Sequence, residues 1–167
     1  LTNTMFVKIL INTLKYVFWS LVIGYISPLV VALMLNETVH FKSGFKTLIY
    51  FPHVLPGVAV SLMWYLMYFP DEGGMLNMIL SFFGMGPLEW LQNEALTIPL
   101  IIIAITWKGM PGSMLMYYAT LQGVNRDLYE AATIDGAGIF RRLWSITIPQ
   151  ISGTMLLMLI NQIISIF

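Results

Sequence analysis

The chain has 167 residues, of which 58% are hydrophobic and 10% are charged, and its formal net charge is zero. Soluble domains average about 45–50% apolar and about 25% charged residues, so the composition indicates a polytopic membrane protein. The zero net charge gives no support for nucleic-acid binding, which needs a clustered basic face. Cysteine is absent, which excludes disulfides, thiolate metal sites and cysteine nucleophiles.

Four apolar segments meet or approach the roughly 20 residues that a membrane-spanning helix needs. They lie at about 16–35, 48–69, 97–121 and 150–167. Glycine and proline occur inside the first segment and near the start of the second. Neighbouring helices can satisfy the backbone groups that such residues free in a membrane, so we expect kinks there. The sequence predicts an all-α, polytopic chain in which residues 1–167 form one membrane domain.

The charges between these segments predict their orientation, because Lys and Arg are enriched in short cytoplasmic loops. Two lysines lie in 36–47 and three arginines in 122–149, whereas 70–96 carries four acidic residues and no Lys or Arg. The loops are therefore predicted to alternate inside, outside, inside. Lys8 and Lys15 fall on the predicted outer side and count against this orientation.

The predicted outer loop contains a short apolar run, residues 73–85, with Trp90 close behind. The run is too short to span a membrane, and apolar and aromatic residues favour the membrane interface. We expect a short helix lying in the outer interface. The alternative is a packed lid without a functional role.

The segment 121–149, LQGVNRDLYEAATIDGAGIFRRLWSITIP, is polar and lies between two spans. Glu130-Ala131-Ala132 is followed after three residues by Gly136, and after nine more by a stretch ending at Pro149. This spacing resembles the EAA loop, E-A-A-x3-G-x9-I-x-L-P, of the membrane-spanning subunits of binding-protein-dependent ABC importers. We call residues 122–149 the EAA-like loop.

Local sequence predicts two helices in the EAA-like loop. Asp127 and Glu130 have the spacing of a capping box, which predicts a helix start at Asp127. Gly136 is suited to ending that helix, because glycine adopts the left-handed conformation at low cost. Residues 137–148 are predicted to form a second helix that ends before Pro149. The alternative for Glu130 is that it completes a capping box and does nothing more.

The resemblance implies a type I ABC importer transmembrane domain with four of about six core helices present, so we interpret the chain as a fragment. It is similar to the carbohydrate branch, which includes maltose and glycerol-3-phosphate permeases. Two residues depart from the family pattern: Asn125 replaces a usual proline, and Ile148 replaces a usual leucine. The residues implied to couple the loop to an ATPase are Asp127, Glu130, Ala131, Ala132, Asp135, Gly136, Ala137, Ile146 and Pro149.

The resemblance also implies the partners and the location. These are a second permease subunit, a cytoplasmic ATPase dimer that binds ATP and Mg²⁺, an extracytoplasmic solute-binding protein, and the inner membrane of a prokaryote, which the chain would cross several times. No cofactor and no catalytic residue is expected in this chain. The solute is expected to be a sugar or sugar-like molecule, and the alternatives are a non-sugar solute, a membrane-embedded enzyme or a passive channel.

Lys108 lies about eleven residues into the third span, where an ionised side chain is a functional-site hypothesis by default. Its surroundings, TWKGMPG, resemble the T-W-x-G-x-P stretch that helps to line the sugar site of the maltose-type permease. The alternatives are that Lys108 snorkels or pairs with a carboxylate on another span. The residues expected along a substrate path are Trp107, Lys108, Gly109, Gly112, Asn161, Gln162 and Ser165.

His53 is the remaining candidate for metal or proton binding, but a lone histidine has no second ligand at metal-binding spacing. No phosphate-binding loop, H-E-x-x-H or G-x-S-x-G motif occurs, so ATP hydrolysis and peptide cleavage by this chain find no support.

Overall fold

A computed structural model describes residues 3–37 and 42–166. In these ranges the chain is helical and contains no strand, which confirms the all-α prediction. The helices are α1 (Asn3–Trp19), α2 (Ile26–Glu37), α3 (Lys42–Val54), α4 (Gly57–Met67), α5 (Met75–Phe82), α6 (Thr97–Gln122), α7 (Arg126–Ile134), α8 (Ile139–Arg142) and α9 (Ile148–Ile164). Two π-helical turns, Ser20–Tyr25 and Leu143–Thr147, join α1 to α2 and α8 to α9.

Three continuous helical stretches are long and apolar enough to cross a membrane: Met5–Glu37, Thr97–Gln122 and Ile139–Ile164. A fourth crossing is available if α3 and α4 act together, although they are bent by 98°. The bend lies at Leu55 and Pro56, where we expected a kink. Proline lacks the backbone N–H and keeps the preceding residue out of the helical conformation, so the helix stops and restarts in a new direction.

Each π turn is followed closely by a proline on the same helix. Pro28 comes three residues after the first turn and Pro149 two residues after the second. A proline ring clashes with the carbonyl four residues earlier, and for both prolines that carbonyl, of Gly24 or Ser145, lies in the π turn. In a π turn each N–H bonds to the carbonyl five residues earlier instead of four. The Ile148 N–H, for example, donates to the Leu143 carbonyl.

The prediction that a loop helix ends before Pro149 is therefore wrong. The helix that begins at Ile139 continues through Pro149 to Ile164 as one 26-residue stretch. Pro149 lies just after the π turn Leu143–Thr147, which lets the helix continue past the proline ring. The last spanning helix thus begins inside the EAA-like loop, about ten residues before the predicted start at 150.

The long helix α6 packs against both α2 and α9 and forms the centre of the structure. Their buried side chains make one apolar cluster, which consists of Leu29, Ala32, Leu35, Met114, Tyr117, Leu121 and Ile151. Hydrogen bonds cross the same contacts. The Tyr25 hydroxyl donates to the Met155 carbonyl at 3.0 Å, and the hydroxyls of Thr120 and Thr154 are 3.0 Å apart. The core therefore fixes the first, third and last spans relative to one another.

The outer loop is organised around Asn77, which is only 2% exposed. Its amide nitrogen lies 3.1–3.2 Å from four backbone carbonyls, those of residues 69, 70, 71 and 88. Its amide oxygen accepts hydrogen bonds from the Leu88 N–H at 3.0 Å and the Trp90 indole N–H at 2.9 Å. The predicted short helix is present as α5, and Asn77 ties it to the chain on both sides.

Candidate functional site

The first helix of the EAA-like loop, α7, is capped by Asn125 and not by Asp127. The Asn125 side-chain oxygen accepts a hydrogen bond from the Asp127 N–H at 3.0 Å, and the Asn125 backbone is extended. Asp127 already lies inside the helix, in the first turn, where the positive end of the helix dipole stabilises its carboxylate. The predicted capping box is therefore wrong, and the exposed Glu130 side chain has no capping role there.

Gly136 ends α7 as predicted. Its φ is +73°, the left-handed region that glycine enters without strain. The Gly136 N–H donates to the Thr133 carbonyl at 3.0 Å, and the Ala137 N–H donates to the Ala132 carbonyl at 2.8 Å. These two bonds form a Schellman motif, and they turn the chain sharply into α8.

Two polar contacts hold α7 against the start of the last spanning helix. The hydroxyls of Tyr129 and Thr147 are 2.9 Å apart, and an Arg142 guanidinium nitrogen donates to the Thr133 hydroxyl at 3.2 Å. Thr147 is buried and lies in the second π turn. The orientation of the helix-turn-helix therefore depends on the helix that leads back into the membrane.

This helix-turn-helix leaves five large apolar side chains exposed. Ile134 is 86% exposed and Phe140 is 80% exposed. The full exposed set is Leu128, Ile134, Ile139, Phe140 and Trp144. Exposed apolar surface on a polar loop is typical of a protein contact.

Several predicted loop residues meet in a depression of about 160 Å³ between α7 and the following helix. Four of the nine, Ala132, Asp135, Ala137 and Ile146, line it together with Arg141, Arg142 and Ser145. Glu130, Ala131 and Gly136 are exposed nearby, whereas Asp127 and Pro149 lie toward the two ends of the loop. The structure thus brings the central part of the motif to one face.

The EAA-like loop lies at the same end of the bundle as the end of α2. The Gln122 amide donates to the Asn36 side-chain oxygen at 2.8 Å. A second depression, of about 260 Å³, is lined by residues of both segments, among them Glu37, Arg126 and Tyr129. This agrees with the predicted alternation of the loops, which places 36–47 and 122–149 on one side.

A larger cavity of about 670 Å³ lies between α6 and the α3–α4 pair, and we call it the Lys108 cavity. It is lined by His53, Gly57, Val60, Ser61, Trp64, Tyr65, Tyr68, Leu91, Ile101, Ala104, Ile105, Lys108 and Gly109. The Lys108 ammonium nitrogen reaches Gly57, where an added Cβ would lie only 3.2 Å from it. Placing a charge at this depth costs about 2.5–3.5 kcal/mol on insertion scales, so a balancing interaction is required.

Aromatic rings form one wall of the Lys108 cavity. The Trp64 ring lies 5.2 Å from the Tyr68 ring and packs edge-on against Trp107, with centroids 5.9 Å apart. The Tyr68 hydroxyl donates to the Leu100 carbonyl at 3.1 Å, which fixes α4 on α6. The buried Trp64 indole N–H has no hydrogen-bond partner among the described residues.

The structure separates the predicted substrate-path residues into two groups. Lys108 and Gly109 line the Lys108 cavity, and Trp107 supports its wall. Gln162 instead donates to the Ser20 hydroxyl at 2.6 Å, and its amide approaches Gly24 and Thr106. Asn161 and Ser165 are exposed and bond within α9, and Gly112 is exposed on α6.

Sequence reasoning missed His53, Trp64 and Tyr68 as members of one site. They come from two helices on either side of the 98° bend, so no local spacing joins them. Within the described ranges, no group of three His, Cys, Asp or Glu residues is placed to hold a metal ion.

The described part of the chain is a polytopic membrane domain with long apolar helices, a mid-span cavity with a lysine, and a helix-turn-helix with exposed apolar side chains at one end. The chain belongs to the family described as the binding-protein-dependent transport system inner membrane component, whose model matches residues 29–167. This confirms the resemblance seen in the EAA-like loop.

The chain is similar to sugar permeases of bacteria and archaea. It is 37% identical to the polygalacturonan/rhamnogalacturonan transport system permease protein YteP of Bacillus subtilis, over 97% of this chain and 51% of that protein. It is 36% identical to the trehalose/maltose transport system permease protein MalF of Thermococcus litoralis, over 91% of this chain and 51% of that protein. The chain spans about half the length of the curated relatives it matches.

A solved structure shares the fold. A chain of a bacterial ABC transporter involved in the import of the acidic polysaccharide alginate matches with a TM-score of 0.82 and 29% identity. The match covers 90% of this chain and 53% of that chain. Another structure of a bacterial alginate ABC transporter, in complex with an alginate pentasaccharide-bound periplasmic protein, matches with a TM-score of 0.83.

Proposed function

We propose that this chain forms the core of a permease subunit that imports a carbohydrate or carbohydrate-like solute. The subunit lies in the inner membrane of a prokaryote and crosses it several times. It works with a second permease subunit, and an extracytoplasmic binding protein delivers the solute. The permease has no catalytic residue of its own, and ATP and Mg²⁺ are bound by a separate ATPase dimer.

The observation that carries this proposal is the helix-turn-helix of the EAA-like loop. Its Schellman turn at Gly136 exposes Ile134, Ile139 and Phe140 at one end of the bundle, and the turn is tied to the last span through Tyr129 and Thr147. A partner that moved this surface would move the last spanning helix with it. Such a link is what an importer needs to convert ATPase closure into a change of access across the membrane.

The names of the relatives support a carbohydrate solute. The matched proteins are described as a polygalacturonan/rhamnogalacturonan transport system permease, a trehalose/maltose transport system permease, and an ABC transporter involved in the import of alginate. The Lys108 cavity supports the same class, because pockets of about 300–1,000 Å³ with aromatic walls and a few polar groups suit small ligands. A site near the bilayer midplane is expected for alternating access.

Replacing Gly136 by tryptophan tests the coupling role. The bulky ring and the strained backbone at positive φ should disrupt the turn that presents the apolar surface. In the complete transporter reconstituted in vesicles, Gly136→Trp should abolish solute-stimulated ATP hydrolysis while the subunit remains in the membrane.

Gly84→Trp is the matched control. Gly84 also has a left-handed backbone, with φ +72°, and also follows a short helix, but in the outer loop. Stimulated hydrolysis should survive in this variant. Normal stimulation in membrane-inserted Gly136→Trp would rule out docking of an ATPase on this turn, and equal loss in both variants would assign the effect to backbone strain.

A further inference from the structure

The Lys108 cavity carries a positive charge that no residue in the described ranges 3–37 and 42–166 balances. Lys108 lines the cavity and makes no ion pair with any residue in the described parts of the chain. No Asp or Glu is among the described lining residues, which include a second base, His53. All eight acidic residues of the sequence lie at the end of a span or between spans.

The position of Lys108 in α6 argues against a lipid headgroup as its counter-ion. It is eleven residues after Thr97 and fourteen before Gln122, which corresponds to about 16 Å and 21 Å along the helix. The hydrocarbon core of a bilayer is about 30 Å thick, so the ammonium lies near the middle. A lysine stem is too short to reach phosphate groups on either side from that depth.

The walls around the ammonium suit a saccharide. The rings of Trp64, Tyr65 and Tyr68 line the cavity, and aromatic faces pack well against the C–H faces of sugar rings. Ser61 adds a hydroxyl to the lining. An ammonium beside such a wall is a point charge that pairs well with a carboxylate.

We infer that Lys108 makes this permease selective for an acidic saccharide, one that carries a carboxylate such as a uronic acid, because the Lys108 ammonium supplies its counter-ion in a cavity that Trp64 and Tyr68 also line. The inference rests on the proposed function and specifies its substrate class. A carboxylate on another spanning segment is the competing occupant, and the experiment below distinguishes the two.

The test is uptake by the complete transporter, containing the full-length subunit, in proteoliposomes. The probes are di-, tri- and tetrasaccharides of galacturonate and of mannuronate, each paired with its methyl ester and with the corresponding neutral sugar. The acid and ester of each pair differ in charge and little else. Wild-type transporter should take up an acid at least about tenfold faster than its ester, since a hydrogen bond to a charged group has roughly that effect.

Three variants separate selectivity from structure. Lys108→Met should lower uptake of the acid by about tenfold or more and leave uptake of the ester little changed, whereas Lys108→Arg should keep the preference for the acid. Lys15→Met removes an exposed positive charge on α1 and should behave as wild type. The membrane abundance of each variant is measured in parallel.

Each other outcome counts against the inference in a distinct way. Wild-type uptake of neutral sugars or esters in preference to acids would overturn the acidic class and leave the proposed function intact. Loss of Lys108→Met from the membrane, with rescue by Lys108→Arg but equal uptake of acid and ester, would assign Lys108 to a pair with another span. Failure of every saccharide to be taken up or to stimulate ATP hydrolysis would contradict the proposed function itself.

Discussion

Gly136 and Gly138 lie two residues apart in the EAA-like loop, and each has open space where a Cβ would be. They differ in backbone conformation, because Gly136 has φ +73° whereas Gly138 has φ −67° and ψ 170°. A difference in stability between the alanine variants at these two positions therefore reflects their backbone conformations and not steric contacts of the added Cβ.

Gly136→Ala should destabilise the turn by about 1–2 kcal/mol, the cost of a left-handed conformation for a residue with a Cβ. Hydrogen exchange followed by mass spectrometry should show faster exchange of the amides of residues 136 and 137, whose bonds form the Schellman motif. Gly138→Ala should leave these rates unchanged or slower. Equal protection in both variants would mean that the turn is held from outside the motif.

Asn77→Asp tests the centre of the outer loop. The substitution keeps the shape of the side chain but replaces the amide N–H₂ with an oxygen that faces four carbonyls. A buried polar group that loses its hydrogen-bond partner typically destabilises the fold by about 1–3 kcal/mol, and a charged group does so by more. Residues 70–96 should become sensitive to protease added from outside.

Asn93→Asp is its control, because the Asn93 side chain acts only through its oxygen, which accepts from the Ala95 N–H at 2.9 Å. An aspartate keeps that acceptor, so protease resistance should persist. Resistance of Asn77→Asp would show that the outer loop is held together by other contacts.

These residues show how far sequence reasoning reaches. The role of Gly136 was predictable because a glycine after a helix-forming stretch commonly ends the helix in a left-handed conformation. Asn125 was not, because Asn125 and Asp127 are both good caps, and the choice depends on which of them has an extended backbone. The role of Asn77 also escaped prediction, since its six hydrogen-bond partners lie up to thirteen residues away.

At the level of elements, α7 is joined to the last spanning helix by the hydroxyl pair of Tyr129 and Thr147. Tyr129→Phe and Thr147→Val should each destabilise the contact by about 1 kcal/mol. The double variant should cost clearly less than the sum, because the two changes remove the same bond. Thermal unfolding of the purified subunit measures all three, and strict additivity would show that the hydroxyls do not interact.

The course of the helices was predictable where hydrophobic length decides it and unpredictable where proline intervenes. Pro56 follows Leu55 at a near right-angle bend, whereas Pro149 lies within a continuous helix. The sequence shows a proline in both places. The helix continues past Pro149 because a π turn precedes it, and the amino-acid composition of the segment does not predict that turn.

At the level of the whole molecule, the topology can be tested because residues 1–167 contain no cysteine. Ser145→Cys in the EAA-like loop should be shielded from a membrane-impermeant thiol reagent in intact cells, and Gln92→Cys in the outer loop should react. Both side chains are exposed, so burial does not explain a difference. Labelling of Ser145→Cys from outside would overturn the orientation and the proposed contact with an ATPase.

The fold class and the family follow from local signals, namely apolar segments of spanning length and one motif of fixed spacing. The Lys108 cavity does not, because His53, Trp64 and Lys108 come from three helices. Only packing of α3 and α4 on α6 brings them together. Lys108 itself was identifiable because an ionised side chain within an apolar segment is rare.

The hydrogen bond between Gln162 and Ser20 joins residues that are 142 positions apart in the chain, and it has a consequence for how the protein is made. A ribosome adds about 5–20 residues per second, so Ser20 is synthesised roughly 7–30 s before Gln162. During that interval the hydrogen bond to Gln162 cannot form, and the serine hydroxyl can bond to a carbonyl of its own helix. Because α6 is made before α9 and packs against α2, the first and third spans can associate before the contact between Ser20 and Gln162 forms, and that contact closes the bundle late in synthesis.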